Sequence, residues 1–258
     1  MSIYDGISFV YEKWSSGDAV YDDTLKFYTS ALIQMTGGKY IELGVGTGRI
    51  SIAAVRLAPI TIVGLDISEK MLNECEKNYK KITQPKGNLI LRRSSFTDLD
   101  YAEEFNGAVL PFRTIGHIMS DAELDAVFRG VYRALKPGGW FLFDHYMFCR
   151  DWAEAHNEVD IPMYKDSETA ICDRYCYNFE ENKMWCDVKV NEKICEGFEF
   201  RWMSPELIKG AAEKSGFEIA SLMGDFDGSV WSEGSTEQIW LLRKPTDGAN
   251  IRIPVFDL

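Results

Sequence analysis

Tyr40-Ile41-Glu42-Leu43 is a short apolar run that ends in three alternating glycines, Gly44, Gly46 and Gly48, and a helical pattern starts at once with Arg49-Ile50. A strand, a tight turn and a helix N-terminus satisfy that order. Glycines there can take positive φ and let backbone approach a ligand, and the free N–H groups of the following helix favour an anion or carboxylate. A second run, Ile60-Thr61-Ile62-Val63-Gly64-Leu65-Asp66, ends in an acid 18 residues past Gly48 (66 − 48). A carboxylate at that separation can accept hydrogen bonds from ribose hydroxyls, so the pair predicts a nucleoside-bearing cofactor on the turn.

The rest of the chain repeats the strand and helix rhythm. Leu25, Tyr28, Leu32 and Met35 recur at helical spacing over 22–35, before the break at Gly37-Gly38. Ile50, Ala53, Ala54 and Leu57 predict a first crossover helix, and Ser68 caps a second that carries Met71, Leu72 and Cys75 on one face. Further strands are expected at 88–91, 107–112 and 140–145, with the capping box Ser120-x-x-Glu123 opening the helix between the last two. From Phe148 to Met203 the helical period disappears, and 169–179, 184–190 and 194–202 alternate apolar with polar residues as antiparallel strands do. Ser204-Pro205 restarts helix, and two strands at 217–223 and 237–243 close the chain. The expectation is a Rossmann-like, doubly wound α/β fold: a mostly parallel seven-stranded sheet with a small antiparallel β insertion. Its parts would be an aromatic and helical lid (1–36), a cofactor-binding core (37–147), a substrate-side insertion (148–203) and a completion of the core (204–258).

A formal charge of −12 opposes nucleic acid and anionic membrane surfaces, and no basic stripe offsets it. The six cysteines show neither a C-x-x-C nor a zinc spacing, so they are expected to be reduced thiols with no metal. No apolar run approaches the ~20 residues of a membrane span. With no basic and apolar leader at Met1, a cytoplasmic protein is expected.

Four stretches occur together and in one order: Glu42-Leu43-Gly44-x-Gly46-Thr47-Gly48, Gly64-Leu65-Asp66-Ile67-Ser68-x-x-Met71-Leu72, Leu135-Lys136-Pro137-Gly138-Gly139, and the two closing strands. The chain thereby resembles the class I S-adenosylmethionine-dependent methyltransferases over about residues 38–146 and 204–244. Pro111-Phe112-Arg113-Thr114-Ile115-Gly116-His117 and the insertion look most like the small-molecule branch, which includes sugar N-methyltransferases. The resemblance implies S-adenosyl-L-methionine as cofactor, with Glu42 near the methionyl ammonium and the turn Gly44, Gly46, Gly48 along the methionine part. It further implies Asp66 on the ribose, Ile67 and Met71 on adenine, Ser95 and Phe96 in place of the usual acid at the adenine amine, and Tyr11 and Pro111 beside the cofactor.

Methyl transfer from a sulfonium is an in-line displacement, so a protein must align the acceptor, exclude water and let one proton leave. His117, just past the fourth strand, is the candidate base, with Tyr4 as its catalytic companion in the lid. Arg113, His145 and Tyr146 lie at the same sheet edge and are candidate substrate contacts, Arg113 having an ion pair as its alternative role. The expected partner is a small-molecule methyl acceptor moved at N or O; the antiparallel strands could also pair in a homodimer. Two rival readings are a cofactor-binding scaffold or sensor without chemistry, and a short-chain dehydrogenase suggested by Ser120 and Tyr132-x-x-x-Lys136. The latter is disfavoured, since Tyr132 and Lys136 fall off the apolar stripe of Phe128, Val131 and Leu135.

Overall fold

The computed structural model describes residues 3–246 and 251–256. In chain order the elements are α1 (Tyr11–Ser15), α2 (Tyr21–Ile33), β1 (Lys39–Leu43), α3 (Arg49–Leu57), β2 (Thr61–Asp66), α4 (Glu69–Lys80), β3 (Asn88–Arg93) and β4 (Phe105–Leu110). They continue with α5 (Asp121–Ala134), β5 (Leu135–Tyr146), α6 (Arg150–His156), β6 (Asp160–Lys165), β7 (Ala170–Asn178), β8 (Lys183–Val190) and β9 (Lys193–Arg201). The chain ends with α7 (Pro205–Lys214), β10 (Glu218–Met223) and β11 (Glu237–Arg243).

Seven strands form one sheet in the order β10-β11-β5-β4-β1-β2-β3, all parallel except β11, which runs antiparallel between β5 and β10. Chain order reverses between β1 and β4, and the crevice beyond their carboxyl ends is where such sheets bind ligands. Strands that are apolar on both faces need cover on both. Leu124, Val127, Phe128 and Val131 of α5 and Ile208 of α7 cover one side; Tyr28, Ala31 and Leu32 of α2 and Ala54 and Val55 of α3 cover the other. Burying each large apolar side chain is worth roughly 1.5–3 kcal/mol, which outweighs the modest helix propensity of these short segments. The caps act as expected. Ser68, Ser120 and Ser204 accept from the amides of Met71, Glu123 and Leu207.

The insertion is a four-stranded antiparallel sheet, β6-β7-β8-β9, one strand more than the alternation predicts. The extra strand is β6, an edge strand that contains Pro162, a residue tolerated where one side of the ladder is unpaired. Helix α6 also departs from the expectation of no helix between 148 and 203; seven residues are too few to display a 3.6-residue period. Ile7, Val10 and Trp14 from the N-terminal segment pack with Ile171, Val188, Phe198 and Phe200 of this sheet as a third core. The approach is close. A Cβ on Gly6 would strike the carbonyl of Cys195, and one on Gly17 the carbonyl of Met163. Among the described residues, no helix is long and apolar enough to cross a membrane.

Candidate cofactor and acceptor site

The glycine turn leaves β1 with three consecutive alternate residues in the left-handed region: Gly44 (φ 74°), Gly46 (φ 54°) and Gly48 (φ 88°), the last being the N-cap of α3. A Cβ on Gly44 would lie 2.8 Å from Thr114 Cγ2, so bulk is excluded there by the loop after β4. At Gly46 a Cβ would meet nothing within 4 Å, and the residue borders the main cavity. Backbone is thus exposed to whatever occupies that space. Asp66, ending β2, accepts from the amides of Gly46 (2.9 Å) and Ser68 (2.8 Å), one on each oxygen. An ionised carboxylate has about four acceptor positions, so two remain for a diol. Burial pushes the Asp66 pKa up, and the backbone donors oppose it.

Ile67, Met71, Ser95 and Phe96 line the same cavity beside Asp66, three of the four being apolar. The Ser95 hydroxyl lies 2.7 Å from that of Thr97 and accepts from its amide. Glu42, 2% exposed, accepts from the Ser51 hydroxyl, and burial raises its pKa to about 7. It borders a small adjoining hollow with Tyr11, Arg49 and Pro111 rather than the main cavity. These features fit S-adenosylmethionine: two free carboxylate positions for ribose hydroxyls, a turn without side chains for the methionine part, and apolar side chains for adenine.

The cavity, about 450 Å³, continues from this cradle under the N-terminal segment into a chamber walled by the insertion. Tyr4, Tyr11 and Trp14 enter from the N-terminal segment, Tyr146 from β5, and Tyr175 and Phe198 from the inserted sheet. His117 ends the single 3₁₀ turn Thr114–His117 and stands at the junction. Its Nε2 is 2.7 Å from the Tyr4 hydroxyl, and the rings of Phe198 and Phe200 flank it edge-on. Although the ring faces the cavity, burial lowers its pKa to about 4, against a smaller opposing effect of the Glu199 backbone carbonyl. His117 is neutral across the physiological range.

The loop that carries His117 is held by Asp144. Phe112 and Arg113 both have φ 58°, a conformation rare without glycine, and their amides donate to the two oxygens of Asp144 (2.8 and 2.7 Å) while the Tyr28 hydroxyl donates to the first (2.6 Å). Three donors offset the burial of a carboxylate that is fully enclosed. Arg113 borders the cavity, yet its guanidinium is engaged by Asp18 (2.9 Å) and Glu237 (2.5 Å), the ion-pair alternative. His145 and Tyr146 part company because neighbouring residues in a strand face opposite sides. Tyr146 reaches the cavity, whereas His145 is fully buried away from it and accepts from the Met203 amide (3.2 Å). Sequence patterning passed over Asp18 and Asp173, both on the cavity wall; Asp173, in β7, is 1% exposed and accepts from Trp14 Nε1 (2.7 Å) and the Tyr175 hydroxyl (2.9 Å). The one sequence signal for Asp173 is an acid at an inward position of an alternating strand.

The strand order, the glycine turn and the paired acid are those of the class I, S-adenosylmethionine-dependent methyltransferase fold. Residues 41–139 match the family described as "Methyltransferase domain". YqeM of Bacillus subtilis, which its name describes as a methyltransferase, is 30% identical over 55% of this chain and 55% of its own. The chain thus spans about half the length of that curated relative. Among solved structures, the CcbJ methyltransferase of Streptomyces caelestis is 18% identical with a TM-score of 0.76, covering 93% of this chain and 96% of that one. CalS10 of Micromonospora echinaspora, described as an amino pentose methyltransferase and solved with S-adenosylmethionine bound, is 15% identical with a TM-score of 0.61, covering 95% and 98%. At these identities the likeness to the solved structures is one of fold.

Proposed function

We propose that the chain is a cytoplasmic enzyme that moves a methyl group from S-adenosylmethionine to an N or O atom of a small molecule. The observation that carries this reading is the continuity of one enclosed space, from the Asp66 and Gly46 cradle to the aromatic chamber. When bound, the cofactor supplies an electrophilic methyl group on a sulfonium. Asp66 accepts from its ribose hydroxyls, Ile67, Met71 and Phe96 enclose its base, and the turn at Gly44 and Gly46 follows its methionine part. Tyr4, Tyr11 and Trp14 shut water out above the junction, and an acceptor fixed in the chamber is held for in-line attack, the largest contribution a protein makes to such a displacement.

His117 and Tyr4 form the polar pair at the point of transfer. A histidine whose conjugate acid has a pKa of about 4 is a weak base. The pair therefore acts chiefly by hydrogen bonding, orienting the acceptor's lone pair. That suits a neutral amine, which sheds its proton only after the methyl arrives.

The test is incubation of the chain with methyl-labelled S-adenosylmethionine and a fractionated cell extract. Label is expected in the small-molecule fraction. Label confined to protein or nucleic acid contradicts the acceptor class, and cofactor binding with no transfer to any fraction favours a silent sensor.

A further inference from the structure

The chamber beyond His117 is electrostatically one-sided. Among the described residues on the cavity wall, the carboxylates are Asp18, Asp66, Glu123 and Asp173, and the cation is Arg113. Arg113 is already engaged by Asp18 and Glu237. Glu123 accepts from the Met119 amide at the start of α5, and Asp66 belongs to the cofactor cradle. Asp173 remains. Its hydrogen-bond donors are neutral, an indole and a phenol, and the charge that acts on it, Asp18, has the same sign.

Resting on the methyltransferase reading, we propose that Asp173 is the anchor of a cation subsite, and that the methyl acceptor is a small molecule with an apolar ring and an ammonium group distinct from the N or O atom that takes the methyl, held between Asp173 and the rings of Tyr4, Trp14 and Tyr175. An ionised carboxylate with two hydrogen bonds has acceptor positions to spare, and a charge-assisted bond from an ammonium is about twice as strong as one from a neutral donor. Aromatic faces add attraction for a cation that has left water. Burial lifts the Asp173 pKa to about 6 in the absence of such a partner, the mark of a carboxylate whose charge is undercompensated.

A second observation points into the same space. The Tyr146 hydroxyl is buried, has no hydrogen-bond partner and belongs to a residue of the cavity wall. Leaving such a group unsatisfied costs about 1–3 kcal/mol, so it is suited to a polar atom of the acceptor. Phosphorylated and carboxylated acceptors, in contrast, meet no free cation among the described residues of this wall.

Three matched probes test the proposal by calorimetry on the full chain: 2-phenylethylamine, 2-phenylethanol and 3-phenylpropanoate, each with and without saturating S-adenosylhomocysteine. The amine is expected to bind about tenfold or more tightly than the alcohol, with the acid weakest of the three. Equal affinities, the reverse order, or binding by none of them overturns the cation subsite. Asp173→Asn keeps the shape and an acceptor oxygen for one of the two donors, Trp14 Nε1 or the Tyr175 hydroxyl, and it should shrink the amine preference to about threefold or less; a preference that survives undiminished also overturns it. The probe series needs no variant to fold. Failure of S-adenosylhomocysteine to bind, with the amine preference intact, would count against the methyltransferase reading and leave the subsite standing.

Discussion

The Tyr4 hydroxyl and His117 Nε2 are 2.7 Å apart although they lie 113 positions apart in the chain, and this contact ties the N-terminal segment to the loop after β4 at the mouth of the aromatic chamber. Burial holds the Tyr4 phenol well above its ordinary pKa and the His117 imidazole below its own, so both partners are neutral. Two neutral groups share one hydrogen bond and neither is a strong base.

His117→Ala is accordingly expected to leave S-adenosylhomocysteine affinity near wild type and, for a neutral amine acceptor, to slow turnover by about tenfold or less, the worth of one orienting hydrogen bond, short of the 10²–10⁴ that a positioned base supplies. Since His117 stays uncharged down to about pH 4, the pH profile of kcat/KM should show no limb near 6.5 from this residue. A limb there that disappears in His117→Gln would establish proton transfer and contradict the orienting role.

Gly46→Ala separates fold from ligand. At φ 54° an alanine costs about 1–2 kcal/mol, and no atom lies near enough to clash. The chain should stay folded by circular dichroism while S-adenosylhomocysteine binding falls by about tenfold or more, because the methyl enters the cradle. Asp66→Ala should lose about 1–3 kcal/mol of the same affinity. Unchanged binding in both variants would remove this turn from the site.

Arg113 compensates two carboxylates at once, and Glu237 is 3% exposed. Arg113→Met should destabilise the chain by about 2–4 kcal/mol, toward the lower side of what breaking a buried pair costs because Arg113 is partly exposed. The sign with pH follows from Glu237, whose pKa burial raises to about 7 while Arg113 lowers it. A carboxyl with a raised folded pKa loses stability as pH rises, and without Arg113 the rise is larger. The deficit measured by urea unfolding should therefore be greater at pH 8 than at pH 5.5; a deficit independent of pH would contradict the pairing.

Much of the cradle is legible from sequence because it is local. Gly44, Gly46 and Gly48 follow β1 directly, and Asp66 closes the next strand, so one turn and one crossover define it. The chamber is not local. Trp14 meets Asp173 across 159 residues, and Arg113 meets Glu237 across 124, and no short-range pattern encodes either pair. Strand β6 escapes notice because Pro162 interrupts it, and α6 because it is short. The separation of His145 from Tyr146 follows from strand alternation alone.

His145 offers a test of burial by titration. Burial, followed by the charge of Arg113, lowers its pKa to about 3, from an ordinary value of 6.5. A histidine with a depressed pKa contributes its full stability above 6.5 and loses it as pH falls toward the folded value. The stability advantage of wild type over His145→Gln should narrow between pH 6.5 and 4. Measuring the two side by side cancels the buried carboxylates, which both chains share; an advantage that widens on acidification would mean that His145 is protonated in the native state.

The central claim is that the glycine turn and Asp66 hold S-adenosylmethionine. Titration calorimetry of the full chain with S-adenosylmethionine, S-adenosylhomocysteine and NAD tests it most directly. One site per chain is expected for the first two, both weakened by about 1–3 kcal/mol in Asp66→Ala, with no heat from NAD. Binding of NAD alone, or S-adenosylmethionine binding that is indifferent to Asp66, would contradict the account.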